Sequence, residues 1–279
     1  MCYGERMTDD HVEAFIEWAT ADRMRSPHTI TRYRAVLKTL APFGDPMTLT
    51  RADMEAWWTS RILLPDGAPR SAASRSNELA CLRSFFKWAV KKAHRLDDPS
   101  AGLDFLTPEN HVPRAIGKAD LERLLGPLTA DALDLRRAIA LGAYAGMRVS
   151  ETAALEWKDI DIEARRLFVR GKGQWERPIG LSTVLLDELL PITGGNVVTG
   201  GGKPYSGAAL QRKINRMMDR AGIDHTFHDL RKRGASLALA KGMNPAAVRV
   251  AFGWRSMETV THYAVVGDEE LDRIAEAMV

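Results

Sequence analysis

Phe227-His228-Asp229-Leu230-Arg231, then Ala251-Phe252-Gly253-Trp254, then Thr261-His262-Tyr263, with Tyr263 nine positions after Trp254, carry most of the information in this 279-residue chain. Upstream, Arg148 stands in Ala145-Gly146-Met147-Arg148-Val149-Ser150-Glu151, and Lys172 stands between glycines in Arg170-Gly171-Lys172-Gly173. Read in order, Arg148, Lys172, His228, Arg231, Trp254 and Tyr263 supply cations, proton-transfer groups and one late tyrosine. Phosphoryl transfer leaves little covalent work beyond the nucleophile, so charge positioned on the phosphate oxygens provides most of the acceleration. The set suits cleavage of a DNA phosphodiester without a metal.

Composition frames that reading. With 45% hydrophobic and 27% charged residues the chain is that of a soluble globular protein, long enough for two domains. Cys2 and Cys81 are the only cysteines, so neither a disulfide framework nor a cysteine zinc site is expected, and the scattered histidines lack ligand spacing. Glu5, Asp9 and Asp10 sit where a signal peptide needs a basic start, and no stretch approaches the ~20 apolar residues of a membrane span. A cytoplasmic protein, with no metal, no cofactor and no membrane partner, is expected.

The net charge of +3 says little, but its distribution says more. Arg23 to Lys38 holds five bases and no acid, Ala68 to Arg95 seven bases against Glu78, and Ser206 to Arg255 ten bases against three acids. From Ser256 onward six acids face Arg273 alone. Clustered bases suit a polyanion whose phosphates are neutralised with counterion release, whereas an acidic tail avoids it and packs on protein. Solvated helix faces are the rival explanation for each run.

The first part of the chain reads as four helices. Val12, Phe15, Ile16 and Ala19 share one face; Ser26-Pro27 starts a second helix; a third covers roughly Arg51 to Arg61; and a fourth runs from about Ser71 to Ala93 with Leu79, Leu82, Phe85, Phe86 and Ala89 inward. On the polar faces Arg32, Arg34, Arg70, Ser74, Arg75 and Arg83 are candidates for DNA contact, with Arg212 and Arg216 further along. Trp57, Trp58 and Trp88 read as packing residues. Pro99, Gly102, Pro108 and Pro113 mark a linker. The expected division is a helical domain over 1–106, a linker over 107–116, a catalytic domain over 117–267 and a C-terminal helix over 268–279. Beyond the linker come a helix from Lys118, a buried helix over Asp134 to Ala145, and a small sheet with Lys172 at a hairpin tip. Gly194-Gly195 and Gly200-Gly201-Gly202 mark a surface loop, with no lysine and hydroxyl pair after it to suggest a nucleotide site.

On these residues the chain resembles the tyrosine recombinase, or phage integrase, family. The segment around Arg148 resembles the family's first arginine box, His228-Asp229-Leu230-Arg231 its second, Phe252-Gly253-Trp254 with Tyr263 its third, and Arg170 to Gly173 its lysine hairpin. Ser26-Pro27-His28-Thr29 with Tyr33, and Leu82 to Ala89 before Asp98-Pro99, resemble its core-binding domain. The resemblance implies a mainly α fold with a small β-sheet: an N-terminal four-helix SAM-like domain and a C-terminal mixed α/β catalytic domain. It implies that Tyr263 forms a 3′-phosphotyrosyl link, that Lys172 protonates the leaving 5′-oxygen, and that Arg148, Arg231, His228 and Trp254 bind the phosphate, with Glu151 orienting the basic groups. It also implies double-stranded DNA attachment sites, a homotetramer on DNA exchanging its C-terminal helices cyclically, and a recombination directionality factor as partner.

Departures from the family pattern are confined. Trp254 replaces the third box's usual histidine, Lys232-Arg233 follow Arg231, and Arg177-Pro178-Ile179 shifts the proline after the hairpin. Few residues precede the first helix, so no arm-type domain is expected. A phage or mobile-element integrase is the first reading. A chromosome-dimer resolving recombinase, a type IB topoisomerase and a DNA-binding regulator without catalysis are the alternatives.

Overall fold

The computed structural model describes residues 4–107, 115–126, 132–170, 176–192 and 194–261. The chain divides into two compact units, Met1–Asn110 and His111–Val279.

The first unit is helical because local signals and apolar spacing agree. Its helices are α1 (Gly4–Ala21), α2 (Pro27–Lys38), α3 (Arg51–Ser60) and α4 (Ala72–Lys91). Ser26 caps α2 by accepting from the Thr29 N–H, with Pro27 in the first turn. Thr50 and Asp53 form a reciprocal capping box on α3, and Ser71 caps α4. The core gathers Phe15, Tyr33, Leu37, Leu40, Trp57, Leu79, Leu82, Phe85, Phe86 and Trp88. Trp57 is fully buried and its indole N–H donates to Thr39 Oγ1 at 2.8 Å. Trp58 packs against that core, as expected of a packing residue.

The second unit opens with α5 (Lys118–Leu125), α6 (Leu133–Tyr144) and α7 (Val149–Ala154). An antiparallel sheet follows in the order β1 (Ile160–Asp161), β2 (Arg166–Arg170), β3 (Glu176–Gly180). The β2–β3 ladder places Val169 opposite Arg177 and ends at Arg170 opposite Glu176, the residues that flank 171–175. Then come α8 (Thr183–Leu189), the pair β4 (Thr199–Gly200) and β5 (Lys203–Pro204), α9 (Gly207–Arg220), α10 (Phe227–Ala240), α11 (Pro245–Ala251) and α12 (Met257–Thr261). The glycine-rich stretch expected to be a plain loop is this short hairpin, turned at Gly201 and Gly202, which both take positive φ. A ladder of two residue pairs is too short to show as an alternating pattern in the sequence.

The core of this unit is built on α6, where residues 135 and 137–143 are all buried. Gly142 is a point of close approach to α10: a Cβ there would lie 2.9 Å from Phe227 Cζ and 3.2 Å from Leu230 Cδ1. This contact sets the depth at which α10 carries His228 and Arg231. No helix among the described residues is long and apolar enough to cross a membrane. Nor do any three His, Cys, Asp or Glu side chains among them form a group that would hold a metal.

Candidate active site

Three backbone features bring the basic groups together. Arg148 occupies the extended position just before α7, where its own N–H donates to Glu151 Oε2 at 2.8 Å and closes the first turn. Thr226 and Asp229 form a capping box that starts α10 at Phe227, one residue before His228 and four before Arg231. Gly146, at φ +60°, lets the chain turn tightly into Arg148, and a side chain there would collide with the Phe252 ring.

Arg148 and Arg231 then converge on the turn after α11. Arg148 Nη1 donates to Glu151 Oε1 at 2.7 Å and Nη2 to the Gly253 carbonyl at 3.1 Å. Arg231 is 1% exposed; its two terminal nitrogens donate to the Gly146 and Phe252 carbonyls. Its guanidinium lies 5.1 Å from the Phe252 ring centre and 5.5 Å from that of Trp254. Those rings are tilted against each other 5.1 Å apart, so Trp254 stands beside Arg231 on the surface of the turn. The Arg148 side chain keeps 41% of its surface exposed, against 9% for Glu151. A guanidinium has five N–H donors, so holding one carboxylate and one carbonyl leaves Arg148 able to bind an incoming anion.

The surroundings adjust two titrating groups. Burial pushes the Glu151 carboxyl up, but hydrogen bonds from Arg177 and from the Arg148 N–H, together with the arginine charges, outweigh it and hold the carboxyl at about 2. His228 is pushed below the usual imidazole range by desolvation first and then by the charges of Lys232, Arg231 and Arg148, with Asp229 opposing. It is therefore a neutral imidazole at pH 7, able to accept a proton. Asp229 is engaged by Lys232 at 2.8 Å.

Arg148, Glu151, His228, Arg231 and Trp254 are thus brought to one place, while Lys172 and Tyr263 lie outside the described residues, as does the expected helix over 268–279. The described strands end on either side of the Lys172 segment, and α12 ends two positions before Tyr263. One residue of the cluster entered the sequence reading only within the Arg177-Pro178-Ile179 departure and not as a site residue: Arg177, on β3, donates to both Glu151 oxygens at 3.0 and 2.9 Å and to the Ala251 carbonyl at 2.9 Å.

The residues expected to face DNA divide into two groups. Arg34 is paired with Glu13, Arg70 with Glu78, and Arg75 donates to the Trp58 carbonyl while stacking 4.2 Å over its ring. Arg83 donates to the Leu103 carbonyl and lies 4.6 Å from the Phe105 ring, and Ser74 is bonded to the helix cap Ser71. Arg212 and Arg216 are exposed on α9, and Arg32 is half-buried on α2.

The chain matches the profile of the Phage integrase family over residues 114–270 and that of the phage integrase N-terminal SAM-like domain over 12–93. It is 29% identical to Tyrosine recombinase XerC 2 of Ralstonia nicotianae, over 98% of this chain and 85% of that one. It is 28% identical to Tyrosine recombinase XerC of Escherichia coli, over 97% of each. Among solved structures, a lambda integrase dimer bound to a COC′ core site superposes with TM-score 0.74 at 20% identity, covering 94% of this chain and 96% of that one. The Tn1549 transposon integrase in complex with circular-intermediate DNA gives TM-score 0.74 at 17% identity over 96% and 99%. A mainly helical fold, a SAM-like first domain and an integrase second domain with the arginines of its boxes on one turn place the chain in the phage integrase family of tyrosine recombinases, enzymes of site-specific DNA recombination.

Proposed function

We propose that the chain is the integrase of a phage or mobile element, using Tyr263 as nucleophile. The observation that carries this is the convergence of Arg148 and Arg231 on the 252–253 carbonyls, immediately before the segment leading to Tyr263. In this scheme the two guanidiniums and the Trp254 indole N–H hold the non-bridging oxygens of the scissile phosphate. Neutral His228 receives the phenol proton, the Tyr263 oxygen bonds to phosphorus, and the P–O5′ bond breaks. Lys172 delivers a proton to the leaving 5′-oxygen. The energy of the broken ester is kept in the 3′-phosphotyrosyl bond, so a 5′-hydroxyl from another strand reseals the backbone without ATP or metal. Glu151 keeps Arg148 aligned.

The partner is double-stranded DNA bearing attachment sites. Multimeric assembly on it is supported by the DNA-bound dimer that superposes on this fold. A homotetramer, with the 268–279 segment docking on a neighbour, and a recombination directionality factor complete the proposal, with the bacterial cytoplasm as its setting. Exposed Arg212 and Arg216 are the proposed backbone contacts in the second unit, and Arg32 in the first.

Near-full-length likeness to XerC proteins supports a second reading, a chromosome-dimer resolving recombinase. Recombination assays on plasmids separate the two. An integrase joins two different attachment sites and leaves hybrid sites that need a further factor to reverse. A dimer resolvase recombines two copies of one site in direct repeat. Specific binding without strand exchange on either plasmid, and without covalent adduct, would instead support a regulator.

A further inference from the structure

We propose that Arg177 is a positioning residue for strand cleavage: from β3 it holds Glu151 and the 251–253 turn together, and through Glu151 it fixes the orientation of Arg148. This rests on the recombinase reading above and adds to it a residue outside the boxes that carry the family resemblance.

The geometry is a four-donor clasp on one carboxylate. Glu151 Oε1 accepts from Arg148 Nη1 at 2.7 Å and Arg177 Nη1 at 3.0 Å. Its Oε2 accepts from the Arg148 backbone N–H at 2.8 Å and from Arg177 Nη2 at 2.9 Å. The third nitrogen of Arg177, Nε, donates to the Ala251 carbonyl at 2.9 Å. Arg177 also packs against Gly253, where an added Cβ would be 2.9 Å from Nη1, and the Gly253 carbonyl is the one Arg148 holds. Both arginines therefore grip the same carboxylate and the same turn.

Exposure separates their tasks. The Arg177 and Glu151 side chains are 10% and 9% exposed and are bonded to each other, whereas the Arg148 side chain, 41% exposed, faces solvent. The planar fork of arginine matches the carboxylate with two parallel bonds, which the single ammonium of lysine cannot do. If Arg177 is lost, Glu151 gives up two of its four donors and Arg148 keeps its partner without a fixed direction. A misplacement on the order of 1 Å at a phosphate-binding group costs about 10²-fold in rate.

The test is the rate of covalent adduct formation on a nicked suicide duplex for wild type, R177M, R177K, E151Q and the R177M/E151Q double variant, with DNA affinity and thermal melting measured alongside. The expected result is an about 10²-fold slower R177M with unchanged DNA affinity, a partial recovery in R177K, and a double variant no slower than its slower parent. The groups facing Glu151 are Arg148 and Arg177, so removing one makes the carboxylate easier to protonate. The ratio of R177M to wild-type rate should accordingly fall as pH is lowered from neutral towards the ordinary glutamate value of 4.5, while titration of His228, common to both proteins, divides out. R177M cleaving at the wild-type rate, additive losses in the double variant, or a ratio flat with pH would each overturn the proposal. Should R177M fail to fold, R177K must still be slowed, and R177K at full rate overturns it. Absence of any Tyr263-dependent adduct from wild type would instead be a failure of the recombinase reading itself.

Discussion

Replacing Glu151 by glutamine removes one charge and almost no volume, and the structure sets the size of the effect. The carboxyl sits at about 2 in the folded protein, against 4.5 for an ordinary glutamate. Each pKa unit corresponds to about 1.4 kcal/mol, so the folded state gains on the order of 3 kcal/mol from ionising this side chain. Because the folded value is the lower one, that stability is fully present above about pH 4.5 and is lost as pH falls through about 2. At neutral pH, E151Q should therefore unfold with a denaturant midpoint lowered by the equivalent of about 3 kcal/mol, less whatever the amide regains from the two arginines. Wild type and variant should converge as pH drops towards 2, where the glutamate is protonated as well. Urea titrations at a series of pH values, followed by far-UV circular dichroism, measure this directly. A difference below about 0.5 kcal/mol at neutral pH, or one that does not shrink in acid, would refute the clasp as described.

Trp57 is fully buried in the first unit, so Trp57→Ala should cost about 3–5 kcal/mol of stability; retention of the wild-type melting curve would contradict that packing. Gly146→Ala forces a side chain at φ +60° into the Phe252 ring, and a melting temperature lowered by several degrees is expected, with no shift counting against the described turn. Wild-type cleavage should rise with pH through a value below the usual imidazole range and be level by about pH 7, as expected for a neutral His228 acting as base, and His228→Asn should lack that rise. A rise centred above about pH 7 would mean that another group is titrating. Lys172→Ala should cleave ordinary DNA slowly yet recover on a duplex whose scissile 5′-oxygen is replaced by sulfur, a leaving group that needs no proton; equal defects on both substrates would remove Lys172 from the acid role.

The helices were legible where a start signal and apolar spacing agree: Ser26-Pro27 and Ser71 each begin a helix where expected. The arginine boxes were legible as local strings. Arg177 was not, because its task comes from where the β2–β3 register puts it, against Glu151 and Ala251, 26 and 74 residues away in sequence. Reading Arg34, Arg70, Arg75 and Arg83 as open DNA contacts had the same limit. Their partners Glu13, Glu78, Trp58 and Leu103 come from other elements, so a helix face that looks free and basic in sequence is partly spoken for in the fold. Arg212 and Arg216 stayed exposed because α9 buries Leu210, Ile214 and Met218 on its opposite face.

The proposed strand cleavage runs through Tyr263 on a phosphate held by Arg148 and Arg231. Covalent trapping tests it most directly: the protein is incubated with nicked suicide duplexes tiled across the DNA flanking its own gene, and wild type is compared with Tyr263→Phe on a denaturing gel. A protein–DNA adduct is expected on at least one duplex with wild type and none with the variant. An adduct that persists in Tyr263→Phe, or sequence-specific binding with no adduct on any duplex, would contradict it.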